Sequence, residues 1–146
     1  MAQHLFAAAV AAVLVAGLSG CAQGPNTQMR ATEQGLQIAF DPTFFDYNTA
    51  ELGDEGRQEV QRIARLLRQK PLAPVTIEGH TDAIGSQKYN LALSMARADA
   101  VKYALLEQGL DGSRLTVAAM GETVPVAYNT TEDGRAKNRR VEIIIR

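Results

Sequence analysis

The chain has no tryptophan, one cysteine and two histidines in 146 residues, and aromatic residues make up 5% of it. Each scarcity closes a route. A single thiol, Cys21, cannot form an internal disulfide, so no covalent framework is available even in an oxidising compartment. His4 precedes a long apolar run, which leaves His80 as the only imidazole beyond it. A metal centre would have to be assembled from carboxylates and that one ring, so no metal and no cofactor is expected. Charge is scarce as a net quantity: 15 basic and 16 acidic side chains give a formal charge of −1. That balance offers no electrostatic case for binding nucleic acid or anionic lipid headgroups.

What is present begins with MAQHLFAAAVAAVLVAGLSGC. Residues 5–18 carry no charge, but a run of 14 is shorter than the roughly 20 residues a spanning helix needs. It reads as the apolar region of a secretory signal peptide, residues 1–20, although the first four residues contain no Lys or Arg. LSGC resembles the lipobox of bacterial lipoproteins, which implies lipidation of Cys21 as the new N-terminus. The competing reading, an apolar helix with an incidental buried cysteine, lacks a cap and would be weakened by Gly17 and Gly20. Removal of residues 1–20 takes away no Asp, Glu, Lys or Arg and leaves 126 residues, enough for one domain.

Residues 22–32, AQGPNTQMRAT, are polar, hold Gly and Pro, and show no periodicity. They read as a tether within a linker spanning 21–34, with a reach of roughly 35–40 Å at about 3.3–3.6 Å per residue. The domain is expected over 35–146. GLQIAF alternates as a strand. From Asp54 to Lys70, Val60, Ile63, Ala64 and Leu67 fall on one helical face, with Arg57, Arg62, Arg65 and Arg68 elsewhere as a solvated or membrane-facing surface, and Pro71 stops the helix. PVTIEGH supplies a second strand. Ser86 is placed to cap a helix running to Gln108, with Gly109 as its stop and Leu91, Ser94, Ala98, Val101 and Leu105 as its seam, supported by Met95 and Leu106. Residues 115–120 form a third strand, residues 123–134 are turn-rich, and NRRVEIIIR forms a fourth, with Val141, Ile143 and Ile145 on one side. The expected architecture is α/β (α+β): one mixed four-stranded sheet in the order βαβαββ, with helices packed against it.

GHTDAIG, residues 79–85, holds the residues that could do chemistry. His80 and Asp82 are two apart at a strand end, where side chains share a face without stacking into a relay, and no GxSxG elbow is present. Glu78 and Asp82 are two acids, but no tryptophan-lined cleft accompanies them to hold a sugar. No enzyme is expected. A binding site fits better, because loops following strands present ligand groups in open α/β sheets. Asp82 lies in such a loop, and Arg97 follows about three turns into the next helix. An aspartate can hold an ammonium and an arginine fork a carboxylate, so together they suit a zwitterion. Two plainer arrangements remain open: Asp82 and Arg97 pair with each other, or Asp82 caps the loop and Arg97 lies on the surface.

GHTDAIG, YNLALSMARADAVKYALLEQGL and SRLTVAAMGETVPVAYNTTEDGRAKNRRVEIII, in that order, resemble the OmpA-like domain of peptidoglycan-associated lipoproteins, porin tails and flagellar stator proteins. FFDYNTAEL resembles the same family's opening segment. The resemblance covers residues 36–146. It implies non-covalent binding of peptidoglycan through the diaminopimelate of its stem peptide. Carried over by position, Asp82 takes the ammonium and Arg97 the carboxylate, Thr81 and the backbone near residues 83–85 line the pocket, Asn48 borders it, and Arg139 and Arg140 approach from the last strand. The glycines of GHTDAIG let the backbone come close to the ligand, and His80 and Asn90 serve as structural hydrogen-bonders. The run Arg135, Lys137, Arg139 and Arg140, elsewhere a solvated face, is partly functional here, since stem peptides carry several carboxylates. The same resemblance implies a lipoprotein of the outer membrane, facing the periplasm, that tethers this membrane to the wall; Ala22 fits that sorting. Tol-system or other periplasmic proteins are further partners it implies. The alternative role is regulatory: binding the periplasmic part of an inner-membrane signalling protein.

Overall fold

The run RVEIII, four apolar residues with Arg140 at its start and Glu142 among them, forms the strand at the centre of the sheet. The structure, a computed structural model, describes residues 27–46 and 49–146. The expected signal peptide, residues 1–20, and Cys21 lie outside the described residues. The strands are β1 (Thr27–Thr32), β2 (Gly35–Phe40), β3 (Val75–His80), β4 (Leu115–Gly121) and β5 (Arg140–Ile145). They form one sheet in the order β1-β2-β5-β3-β4. Only β3 and β4 are parallel; β1 with β2, β2 with β5 and β5 with β3 are antiparallel. Flanked on both sides, β5 is buried along its whole length.

Two long helices cover one face, α1 (Asp54–Arg68) and α2 (Gln87–Glu107). Alternation of period two decides which strand residues meet them. Ile38, Phe40, Val75, Ile77, Val141, Ile143 and Ile145 join Val60, Ile63, Leu67, Ala98, Val101 and Leu105 in one apolar core. Each fully buried Val, Ile or Leu contributes roughly 1.5–3 kcal/mol. Among the described residues no helix is long and apolar enough to cross a membrane.

The mixed α/β class is as the residues imply, but the sheet has five strands, not four. β1 occupies the second half of the segment expected to be tether. Its register sets Thr27, Met29 and Ala31 opposite Phe40, Ile38 and Leu36. An edge strand has one neighbour and one half-covered face, so Met29 is the one large apolar residue it needs, and TQMRAT shows almost no hydrophobic alternation. A short helix, α3 (Glu132–Asn138), begins in the stretch expected to be turns, residues 123–134, and runs on to the Asn138 expected to open the last strand. The Thr131 hydroxyl caps it by accepting from the Gly134 N–H at 3.1 Å, with acids in its first turn and bases in its last. The element order is therefore ββαβαβαβ.

The seam of α2 also differs. Ser86 caps the helix as expected, accepting from Tyr89 N–H at 3.1 Å, and Gly109 follows its end with φ of 83°. The buried residues, however, are Asn90, Ser94, Arg97, Ala98, Val101, Ala104 and Leu105, while Leu91 is 50% exposed and Met95 42%. The first half of α2 turns polar side chains inward. There it crosses the end of β3 so closely that a Cβ on Gly79 would lie 1.9 Å from the Ser94 carbonyl oxygen. Gly79 therefore serves helix packing, not approach of the backbone to a ligand.

Candidate functional site

At the carboxyl end of β3 the chain leaves the sheet through Thr81 to Ser86 and enters α2. Thr81 is buried; its N–H bonds the Gly121 carbonyl at 2.8 Å and its hydroxyl the Asp82 carbonyl at 2.9 Å. Asn90 donates to that same carbonyl at 3.2 Å and to the Glu122 carboxylate at 2.6 Å, the structural role expected of it. Gly85, at φ 96°, lets the loop turn into the helix. The Asp82 carbonyl is thus held by two donors.

The Asp82 side chain is 12% exposed and does two things. Oδ1 accepts from the Ile84 N–H at 2.9 Å, a local cap on the loop. Oδ2 accepts from Arg139 Nη1 at 2.9 Å. Arg139 also donates from Nη2 to Glu132 Oε1 at 2.6 Å, and the Glu132 bond, ahead of the opposing burial and the Asp82 bond, pushes the guanidinium above its ordinary pKa. Arg135 holds the other Glu132 oxygen at 3.0 Å. The chain Asp82, Arg139, Glu132, Arg135 straps α3 to the GHTD loop.

Arg97 is not a surface residue: it is 8% exposed. Burial lowers its pKa, with Tyr89 and Asp82 acting in the opposite sense and Arg139 adding to the lowering. Its Nε donates to the Thr49 carbonyl at 3.3 Å and its guanidinium lies 5.5 Å from the Phe45 ring centroid, a cation–π contact. Among the described residues its two Nη groups bond to nothing, and it makes no ion pair with Asp82. Both plainer arrangements are thus absent in part: the two charges act on each other without pairing, while Asp82 does cap its loop. Asn48 lies outside the described residues, one position from the carbonyl that holds Arg97.

Arg140 points elsewhere. It is buried against the sheet, with Nε on Glu142 Oε1 at 2.5 Å, Nη1 on the Asn138 carbonyl at 3.2 Å and Nη2 on the Val124 carbonyl at 3.2 Å. Three internal acceptors occupy its fork, so it differs from Arg139 in what it offers a ligand. A hollow of about 440 Å³ lies between them and β1, lined by Arg30, Lys137, Arg139, Arg140 and Glu142 among others. His80, expected to be a structural hydrogen-bonder, is 1% exposed, and among the described residues neither ring nitrogen has a hydrogen-bond partner. Burial, with the Arg140 charge adding and Glu142 opposing, holds its pKa at about 4.

Glu132, Asn129 and Asn138 were not singled out in the sequence. Asn138 takes Val126 and Ala127 N–H on its carbonyl oxygen at 2.8 and 3.0 Å, and donates to Ala127 O and Asn129 Oδ1. Asn129 in turn accepts from Ala83 N–H at 3.3 Å, joining this loop to the GHTD turn. The signal for Glu132 was present as the T-E-D start of α3. For Asn129 there was none, and for Asn138 only its place as the first residue of NRR.

An open mixed sheet with two helices on one face and ionic side chains gathered where β3 ends defines a class of ligand-presenting α/β domain. The OmpA family model matches residues 44–139, and the chain belongs to that family. It is 35% identical to the outer-membrane lipoprotein YfiB of Pseudomonas aeruginosa, over 90% of this chain and 88% of that protein. It is 36% identical to the peptidoglycan-binding protein ArfA of Mycobacterium bovis, over 85% of this chain and 37% of the relative. The crystal structure of the peptidoglycan-associated lipoprotein from Burkholderia pseudomallei superposes with a TM-score of 0.66 at 30% identity, covering 74% of this chain and 89% of that one. Several relatives are much longer: the chain spans 28% of the outer membrane porin F of Pseudomonas aeruginosa.

Proposed function

We propose that this chain is a non-enzymatic envelope lipoprotein whose OmpA domain grips peptidoglycan through the zwitterionic end of diaminopimelate. The observation that carries this reading is the state of Arg97: a buried guanidinium held at Nε, its two Nη groups unpartnered among the described residues, and within reach of the charge of an Asp82 carboxylate that pairs with Arg139. A ligand carboxylate would complete the Arg97 fork, and its ammonium would share Asp82. Thr81 fixes the loop between them, and Arg139 holds Asp82 in place. Asn48 is included for its position in FFDYNTAEL alone, and Arg140 acts through the packing of the last strand. ArfA, by its name, binds peptidoglycan, which supports the substrate class.

The anchor follows from Cys21. Lipidation there leaves residues 22–26 before β1, a reach of roughly 18 Å at about 3.6 Å per residue. The domain is then held against the membrane face, periplasmic side of the outer membrane, within range of the nearest wall layer. Many copies on one membrane facing a polymeric wall raise the effective affinity of each weak contact.

Co-sedimentation with isolated sacculi tests the site. Asp82→Ala and Arg97→Ala should each lower affinity about tenfold to a hundredfold, the equivalent of a charge-assisted bond of about 1.5–3 kcal/mol. Both variants should keep the wild-type circular dichroism. Undiminished binding by both would remove the assignment.

A further inference from the structure

The sheet face turned away from α1 and α2 holds a second constellation. In the antiparallel register of β3 and β5, Glu78 stands directly opposite Glu142 and His80 opposite Arg140. Two carboxylates facing each other across a ladder repel, and such pairs destabilise a sheet unless something positive lies between them. Arg140 meets one of them only, Glu142, through Nε. Burial and the Glu142 charge raise the pKa of Glu78.

Between the two acids lies His80. It is 1% exposed, and among the described residues neither ring nitrogen finds a hydrogen-bond partner; Nε2 stands 3.5 Å from Glu78 Oε2 without bonding geometry. An imidazole buried this way forfeits its hydration with nothing in return. One ligand atom from each of Glu78, His80 and Glu142 can be chosen so that all three lie within 4.8 Å of one another. We infer that Glu78, His80 and Glu142 form a binding site for a first-row divalent cation, with zinc as its best-suited occupant.

The donor set favours that class. A neutral imidazole beside two carboxylates suits zinc and its neighbours over calcium or magnesium, which prefer all-oxygen shells. Ligand atoms 4.8 Å apart must close by about 1.5 Å to reach metal–ligand bonds of about 2.0–2.2 Å. Glu78 can make that movement, since its side chain is 21% exposed and bonds to no other group among the described residues. Glu142 is already oriented: Arg140 Nε donates to Oε1 and Gln37 Nε2 to Oε2, the kind of outer support ligating carboxylates have. Each of its oxygens keeps a second lone pair for a cation. Arg140 offsets one carboxylate charge, so affinity should fall below that of a closed four-ligand structural site. The only imidazole beyond the leader and two acids make up this site, the same ingredients to which composition limited any metal centre. This inference stands apart from the wall-binding reading.

The test uses purified, tag-free protein carrying Cys21→Ser, stripped with chelator, titrated with zinc chloride by calorimetry and followed by thermal unfolding. One equivalent of zinc should bind saturably and raise Tm by several degrees, while magnesium at the same concentration leaves Tm unchanged. Glu78→Gln should weaken zinc binding at least tenfold while keeping the metal-free Tm close to that of the parent, and His80→Gln should abolish binding. If His80→Gln fails to fold, Glu78→Gln decides alone. Absence of saturable zinc binding in the parent, or binding undiminished in Glu78→Gln, overturns the proposal.

Discussion

On the helix-covered face of the sheet Ile77 and Ile143 stand opposite each other; one residue further along the same two strands, on the other face, Glu78 meets Glu142. The backbone is shared and the register is the same. What differs is the means of cohesion. The first face is held by burial of hydrocarbon, which is non-directional and tolerates small rearrangements in proportion to volume. The second is held by Arg140, fixed by three acceptors, and it depends on each partner being present. The strands carry both at once because side chains alternate, so each face can be broken separately.

The largest effect should come from the covered face at Gly79. A methyl there would lie 1.9 Å from the Ser94 carbonyl oxygen and 2.6 Å from its carbon, both backbone atoms of α2 that no rotamer change can move. Gly79→Ala must lift the helix off the strand and break the bond from Gly121 N–H to Ser94 Oγ. We expect no cooperative thermal transition in this variant, a loss of more than about 4 kcal/mol. A Tm within a few degrees of wild type would show that α2 does not rest on β3 this closely.

Glu142→Gln strikes the other face. It leaves the Arg140 guanidinium buried without its anion, and breaking such a pair by removing one partner costs about 3 kcal/mol or more. Urea unfolding should report that loss, and the double replacement Arg140→Met with Glu142→Leu should recover most of it. A single variant as stable as wild type would mean that the polar face is wet and its ion pair inconsequential.

The same contrast accounts for what could be read from residues alone. The covered face announces itself: GLQIAF, PVTIE and VEIII alternate, and β2, β3, α2 and the capping Ser86 lie where the pattern puts them. β1 and α3 do not announce themselves, because an edge strand and a seven-residue capped helix need little hydrocarbon and carry little. In the site, Asp82 and Arg97 were visible as a matched pair of charges at a strand end. That Asp82 would pair with Arg139, 57 positions along the chain, depends on β5 lying beside β3, an adjacency no local pattern encodes. Arg139 and Arg140 are neighbours in sequence and opposites in structure for the reason that separates the two faces: one is the last residue before the strand and the other its first.

The smallest effect tests a buried carboxylate on α1. Glu59, 6% exposed on α1, takes the Thr27 hydroxyl on Oε1 at 2.7 Å and Arg62 Nε on Oε2 at 2.9 Å. Burial raises its pKa, but the bonds from Arg62 and Thr27 outweigh burial and leave it below its ordinary value of 4.5. A carboxylate depressed on folding stabilises the native state fully above the unfolded value, and the benefit is lost as pH falls through the folded one. Glu59→Gln should therefore cost about 2 kcal/mol at pH 7, and the gap to wild type should narrow as pH drops below 4.5. Thr27→Val removes the single tie from β1 to this carboxylate and should cost about 1 kcal/mol, with faster amide exchange confined to β1. Exchange that accelerated equally in β5 would mean that β1 and the sheet centre open as one unit, and that the edge is no weaker than the middle.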